Sequence, residues 1–292
     1  MSVRRGGREM RWVVRAEDPP RLGALLALLA EDAQAIEDGR VFVDGRRASE
    51  DAALKPGQQV VVRQGRSAPA APIPVVQRRA GLLAASKPAE LPTEPDASGS
   101  RSLTQILAEQ LKLSLHAVSR LDVGVSGVVL LAETRAAMRH VERADTRAQY
   151  ARRYLAIASG AMHEGATWSS PVRGKPAATR VTALATTKTS NASLLLLEPV
   201  TGRTHQLRAH AAAAGVPLFG DRRYGGPATL VAADGRVREL GRVLLHAFEI
   251  ELPASDGAPF CARAELPPEF LQCWRDLGGQ SAALSAFGAA AR

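Results

Sequence analysis

The run His116-Ala-Val-Ser-Arg120-Leu-Asp122-Val-Gly124-Val-Ser126-Gly127-Val128-Val-Leu-Leu-Ala132-Glu-Thr134 decides how the rest of this 292-residue chain is read. Val128 to Ala132 is a continuous apolar run, the pattern of a buried strand. In front of it, Gly124, Ser126 and Gly127 make a turn-rich loop, and Asp122 lies in that loop two positions after Arg120. A carboxylate on a loop held by a rigid strand is well presented to a substrate. The same Arg-x-Asp pair also fits a structural ion pair, and the stretch itself leaves both readings open.

Working outward, Leu82 to Ala85 reads as a strand ended by Lys87-Pro88, followed by a polar, turn-rich segment over 93–101. Ser102 with Gln105 forms a capping box for a helix carrying Leu103, Ile106, Leu107 and Leu111 on one face. Thr134 caps a second helix to about Gln149, with Met138 and Val141 turned inward. Arg135, Arg139, Arg143 and Arg147 follow one another at four-residue steps, a basic stripe that suits either a solvated face or a phosphate track. Strands are predicted over 153–159, 180–186 and 193–200, and a helix over 204–214 stopped by Gly215. Strands and helices mix without regular alternation, which predicts an α+β fold with a mixed or mainly antiparallel sheet.

Toward the start, residues 10–64 read as a compact α+β unit. Leu22, Leu25, Leu26 and Leu29 recur at helical spacing, Asp32 to Asp38 form a short second helix closed by Gly39, and Asp44-Gly45 turns a hairpin. A second turn at Lys55-Pro56-Gly57 leads into a strand over 59–63. The expected division is therefore a small module over 1–64, a Pro- and Ala-rich linker over 65–80, a large domain over 81–276, and a flexible tail over 277–292.

The formal charge of +9 and a pI near 10.3 point to a polyanionic partner, and arginine's planar fork suits phosphate. With aromatic content at 4%, repeated base stacking on a single strand is disfavoured, and recognition of a folded RNA by shape and phosphate fits better. Cys261 and Cys273 lack histidines at zinc spacing and read as buried thiols in a reducing compartment. The basic start leads into no apolar signal core, and no run approaches the ~20 residues that span a bilayer. A cytoplasmic protein is expected.

The Arg120-Leu121-Asp122 stretch resembles the signature of the RluA-type pseudouridine synthases, enzymes that isomerise uridine in RNA. Four further segments resemble the same family in its order: Lys87 to Pro92, Arg152 to Ala156, Thr201-Gly-Arg-Thr-His-Gln-Leu-Arg-Ala-His210 running on to Pro217–Gly225, and Leu245-His246-Ala247. The resemblance covers roughly residues 80 to 275. The front unit resembles the alpha-L RNA-binding module that often precedes such synthases, although Glu31, Asp32, Glu37 and Asp38 stand where basic residues are usual and would repel phosphate.

The resemblance implies catalysis by Asp122 alone, with no metal and no organic cofactor, on a uridine in ribosomal or transfer RNA. It implies that Arg208 pairs with Asp122 to keep it ionised, and that Tyr154 stacks on the target uracil and helps proton transfer at carbon 5. Leu207 packs on the base from the other side, and Arg120 fills the gap left by the turned-out nucleotide. Arg152, Lys175 and Arg203 match further RNA-contacting positions. His205 and His210 are expected to be structural hydrogen-bonders, since the chemistry asks nothing of an imidazole. Ser119 replaces the family's histidine and Val125 its threonine, exchanges expected to remove polar braces from the loop. Glu90 and Glu94 replace a glycine and a histidine. The rival readings are an idle RNA-binding or ribosome-assembly protein of the same fold and a nucleoside or sugar hydrolase. A sequence-specific DNA regulator would need a basic recognition helix that the sequence lacks.

Overall fold

A computed structural model of the chain describes residues 4–6, 9–29, 34–37, 41–48, 51–63, 71–96, 100–147, 149–187, 191–253 and 258–287. Two sheets dominate it. The smaller has five strands and belongs to the front unit, where Glu9–Val13 pairs with Gln59–Arg63 and Val41–Val43 pairs with both Gln59–Arg63 and Arg46–Arg47. Leu22, Leu25 and Leu26 of the helix Leu22–Leu28 fill its core, at the spacing expected. Of the acidic second helix, Gln34–Glu37 is helical; Glu31, Asp32 and Asp38 lie outside the described residues.

The larger sheet is mixed and mainly antiparallel. Its path runs Ala166–Trp168, Thr179–Thr187, Ala192–Pro199, Ala151–Ser159, Leu245–Leu252, Ser126–Ala132, Leu82–Lys87, Val75–Arg79. All of these neighbours are antiparallel except one pair at the centre, where Leu245–Leu252 runs parallel to Ser126–Ala132. The apolar run that opened the sequence reading explains that placement. Val128, Leu130 and Ala132 face the helix Arg135–Thr146 through Ala137, Val141 and Ala144. Val129 and Leu131 face Leu103 and Leu107 of the helix Leu103–Leu111 on the other side. A strand covered on both faces needs no polar alternation, so it reads as an unbroken hydrophobic run.

The local signals hold in detail. Ser102 and Gln105 close a reciprocal capping box, with Gln105 N donating to Ser102 Oγ at 3.3 Å and Ser102 N to Gln105 Oε1 at 2.9 Å. Thr134 Oγ1 accepts from Ala137 N at 3.1 Å. That helix ends at Thr146, slightly before the expected Gln149.

Three expectations require correction. Residues 75–79 are no linker: Val75–Arg79 forms the edge strand of the large sheet, because Ala80-Gly81 turns it back onto Leu82–Lys87. The tail from Leu277 is not frayed over its described part. Leu277 and Leu284 are buried, and Trp274 Nε1 donates to Gln280 O at 3.1 Å. Cys261 is exposed rather than buried, since it points outward from the alternating strand Phe260–Arg263; Cys273 is buried. The strand Leu245–Leu252, central to the sheet, was legible in sequence only as a three-residue motif.

Behind this central pair lies a buried polar chain. Arg242 pairs with Glu269 at 3.0 Å and donates to Ser126 Oγ at 3.2 Å. The Ala264 carbonyl can only accept, so His246 Nε2 donates to it at 3.2 Å, and in the neutral ring Nδ1 accepts from the Ser126 hydroxyl at 2.9 Å. The tautomer is thereby fixed and neutral. Burial pushes the His246 pKa down to about 4, helped by Arg242 and opposed by the Ala264 carbonyl. An unfolded histidine titrates near ~6.5, so this site's stability is complete above that pH and lost on acidification toward 4, by about 3 kcal/mol. Urea unfolding between about pH 7 and 4.5 should therefore show a shallower pH slope in His246→Gln than in the wild type. Equal slopes would contradict the assignment.

Candidate active site

The Asp122 loop is pinned from several directions. Buried Lys87 donates from Nζ to the carbonyls of Pro88, Leu91 and Val123 at 2.9, 2.8 and 3.3 Å. Thr93 Oγ1 both donates to Leu121 O and accepts from Leu121 N at 3.1 Å. Gly127 has a φ of 121°, and a Cβ there would lie 2.1 Å from the Ala247 carbonyl oxygen, so only glycine lets the parallel pair close beside the loop. Ser119 and Val125, expected to weaken the loop, each hold it by another means. Ser119 Oγ accepts from Leu130 N at 3.1 Å, and buried Val125 packs in the cluster of Leu207 and Leu245.

The partner side is the turn Thr201–His205 and the helix Gln206–Ala213. Buried Gln206 locks the turn. Its Oε1 accepts from the Thr201 hydroxyl at 2.6 Å and Arg203 N at 3.0 Å, while its Nε2 donates to Ala178 O at 2.9 Å and Thr179 Oγ1 at 3.0 Å. The helix starts at Gln206 rather than Thr204 because His205 takes a left-handed φ of 59°. Leu207 and Ala211 face the core, which leaves Arg208 turned toward Asp122.

Arg208 joins two carboxylates. Its Nε and Nη2 fork onto Asp221 Oδ2 and Oδ1, both at 2.7 Å, and its Nη1 donates to Asp122 Oδ2 at 2.8 Å. The Asp221 side chain is fully buried, whereas that of Asp122 retains 26% exposure. Burial opposes the guanidinium charge, but hydrogen bonds to Asp221 and Asp122 outweigh it and hold the Arg208 pKa above its ordinary value. The bidentate grip fixes the fork's direction, and an Nη1 N–H then points at Asp122. Arg208 thus sits as the sequence expects, eighty-six positions from its acid.

His205, expected as a structural hydrogen-bonder, also approaches the acid. Its Nε2 lies 3.7 Å from Asp122 Oδ1, and its Nδ1 is 3.2 Å from the Tyr224 hydroxyl. The two rings meet edge-on at 5.8 Å, and the Arg208 guanidinium lies 5.3 Å from the Tyr224 ring centre. Burial pushes the His205 pKa down, against Asp122 and together with Arg208, Arg223 and Arg173, so the ring is neutral at neutral pH. His210 does behave as a structural bonder, linking Thr179 Oγ1 at 2.9 Å and Ser170 O at 2.8 Å.

Asp122, His205 and Arg208 line a cleft of about 760 Å³ that also takes in Arg120, Arg152, Tyr154, Arg203 and Leu207. A bulge between Arg153 and Tyr154 in the pairing with Leu245–Leu252 marks where Tyr154 enters it, a device that re-aims a side chain. Burial raises the Tyr154 pKa, assisted by Tyr150 and Asp122 and opposed by Arg152, so the phenol keeps its proton. Arg152 pairs with Asp145 at 2.9 Å and lies 4.8 Å from the Tyr150 ring centre. Arg120 is 72% exposed at the rim, 3.5 Å from Glu94. Lys175 does not line the cleft; it sits on the exposed turn closed by Val172 N donating to Lys175 O at 2.9 Å. Among the described residues, no three His, Cys, Asp or Glu side chains cluster as metal ligands would.

Asp221, Tyr224 and Lys87 were not singled out as site residues from sequence. Asp221 follows a glycine whose added Cβ would lie 1.8 Å from Arg242 O, and that constrained Gly-Asp pair was the available cue.

A model of the RNA pseudouridylate synthase family matches residues 81–213. An uncharacterised RNA pseudouridine synthase of Zymomonas mobilis is 33% identical over 68% of this chain and 98% of its own. The dual-specificity RNA pseudouridine synthase RluA of Escherichia coli is 32% identical over 60% of this chain and 80% of its own. The solved structure of human RNA pseudouridylate synthase domain containing 1 superposes with a TM-score of 0.55 at 25% identity, covering 69% of this chain and 87% of that one.

Removing Arg208 strands a buried carboxylate at Asp221. Arg208→Met should lower unfolding stability by about 3 to 5 kcal/mol in urea titration. A loss below about 1 kcal/mol, the range of an exposed pair, would contradict the burial-driven account.

Proposed function

The chain belongs to the RluA-type RNA pseudouridine synthases, isomerases of uridine in RNA, and from that premise we propose that Asp122 is the reacting carboxylate. The observation that carries the proposal is one half-exposed acid at the cleft, 2.8 Å from an arginine whose fork is anchored on a fully buried second acid. The reaction breaks the N1–C1′ bond of uridine, rotates the uracil, and forms a C5–C1′ bond. The carbon-5 proton is released and N1 regains one, so the isomerisation balances without oxidant or reductant. Asp122 serves by adding to the sugar as positive charge grows there, or by taking a sugar proton, and either role requires the ionised form. Arg208 favours that form by offering a hydrogen bond and a charge to Oδ2.

Tyr154, kept as a neutral phenol, acts as a platform for the uracil rather than as a phenolate, with Leu207 on the other face of the base. Arg120, exposed at the rim and held loosely by Glu94, is placed to enter the stack vacated by the turned-out nucleotide. Arg152 and Arg203 take phosphate or sugar oxygens within the cleft. The RNA is structured, ribosomal or transfer, and the reaction takes place in the cytoplasm, where free thiols such as Cys261 and Cys273 persist. No metal or organic cofactor takes part.

RNA labelled with tritium at uracil carbon 5 tests the reading. Total RNA from cells lacking the protein should release label on incubation with the wild type, and Asp122→Asn should release none while keeping its RNA affinity within about threefold, since phosphate contacts dominate binding. No release by the wild type from any RNA pool favours an idle binder and overturns the proposal.

A further inference from the structure

Among the described residues, the Asp122 carboxylate accepts one close hydrogen bond, from Arg208 Nη1 to Oδ2 at 2.8 Å. Its other oxygen, Oδ1, faces His205 Nε2 at 3.7 Å, beyond ordinary hydrogen-bonding reach. A carboxylate turns easily about its last torsion, so one contact locates one oxygen and leaves the plane of the group free. The residue placed to remove that freedom is strained. His205 holds a φ of 59°, a left-handed conformation that costs any residue with a side chain, and strain of this kind is kept where the side chain has work to do.

Tyr224 decides what the ring presents. Its hydroxyl lies 3.2 Å from His205 Nδ1, a contact open to either tautomer. With the proton on Nδ1, the Nε2 lone pair would face an anion. With the proton on Nε2, Tyr224 donates to Nδ1 and an N–H faces Oδ1, which is the attractive arrangement. The ring stays neutral because burial, with Arg208, Arg223 and Arg173 nearby, outweighs the pull of Asp122. Tyr224 closes the short turn Arg222–Tyr224 that follows Asp221, and Tyr224 N donates to Asp221 O at 3.1 Å. One turn therefore anchors both neighbours of the acid: Asp221 takes the Arg208 fork, and Tyr224 takes the His205 ring.

Resting on the reading of Asp122 as the reacting carboxylate, we infer that His205 is a positioning residue: oriented by Tyr224, it presents Nε2–H to Oδ1 and sets the plane in which Asp122 meets the sugar. Contacts of this kind are often long before substrate binds and tighten as it does. At 3.7 Å the donor orients Oδ1 without occupying the lone pair that reacts. A misplacement of about 1 Å at a reacting atom can lower a rate on the order of 100-fold, which gives the strained backbone at His205 its reason.

Two replacements separate a donor from a packing ring. His205→Phe keeps a flat ring against Tyr224 and has no N–H, whereas His205→Gln carries an amide N–H near the place of Nε2. With protein in excess over tritium-labelled total RNA from cells lacking it, the maximal rate of label release should fall about 10- to 100-fold in His205→Phe, the range for losing a contact that supports a reactive group. The protein concentration giving half that rate should not change, and His205→Gln should recover most of the loss. Thermal melts confirm folding; if His205→Phe does not fold, His205→Gly, at ease with a φ of 59°, replaces it. In protein labelled with nitrogen-15 histidine, long-range proton–nitrogen spectra should show His205 as the Nε2–H tautomer, and Tyr224→Phe should mix the two tautomers. A wild-type rate in His205→Phe, equal losses in the Phe and Gln replacements, or an Nδ1–H tautomer in the wild type would each overturn the inference and leave Asp122 as the reacting acid. A wild type that releases no label overturns both.

Discussion

The site depends on one constraint: a guanidinium whose direction is set by an acid it never releases. Asp221 is fully buried and takes two of the Arg208 N–H groups. Such a carboxylate is tolerable in a low-dielectric interior only when its charge and lone pairs are met. With the guanidinium plane so fixed, Nη1 is carried toward the cleft, and Asp122 accepts from it. The reacting acid is held by a partner that is itself held. Other features serve the same end: Gln206 fixes the turn before Arg208, and Gly220 packs against the Arg242 carbonyl where a side chain would clash, next to Asp221.

The sheet carries this arrangement across long sequence distances. Asp122 precedes a strand buried on both faces, Arg208 follows a turn on the far side of the molecule's topology, and the parallel pairing of Ser126 and Gly127 with His246 and Ala247 draws the two halves together. The polar chain from Glu269 through Arg242 and Ser126 to His246 lies under the same junction. A rigid floor of this kind is what keeps a loop acid within hydrogen-bonding reach of its partner.

Much of this was legible in the chain. The buried strand announced itself because two covering helices remove any need for alternation, and the Ser102 and Thr134 caps because their hydroxyls stand where the first helical N–H groups need acceptors. Asp122 and Arg208 were found through motif resemblance, and the geometry pairs them. The residues that escaped did so for physical reasons. Asp221 reads like any surface aspartate until its burial is known. His205 was set aside because the chemistry needs no imidazole, yet a left-handed backbone turns its ring toward Asp122. Val75–Arg79 sits in a composition typical of linkers, and its strand character comes from the partner Leu82–Lys87 rather than from its own residues.

The most direct test of the central claim is the single-turnover rate of pseudouridine formation by Asp221→Asn, in protein shown to be folded and to bind RNA. This account predicts a loss of about 10- to 100-fold, the size seen when a supporting contact behind a reactive group is removed, because Arg208 is then free to turn away from Asp122. A folded Asp221→Asn protein that turns over at the wild-type rate would contradict it.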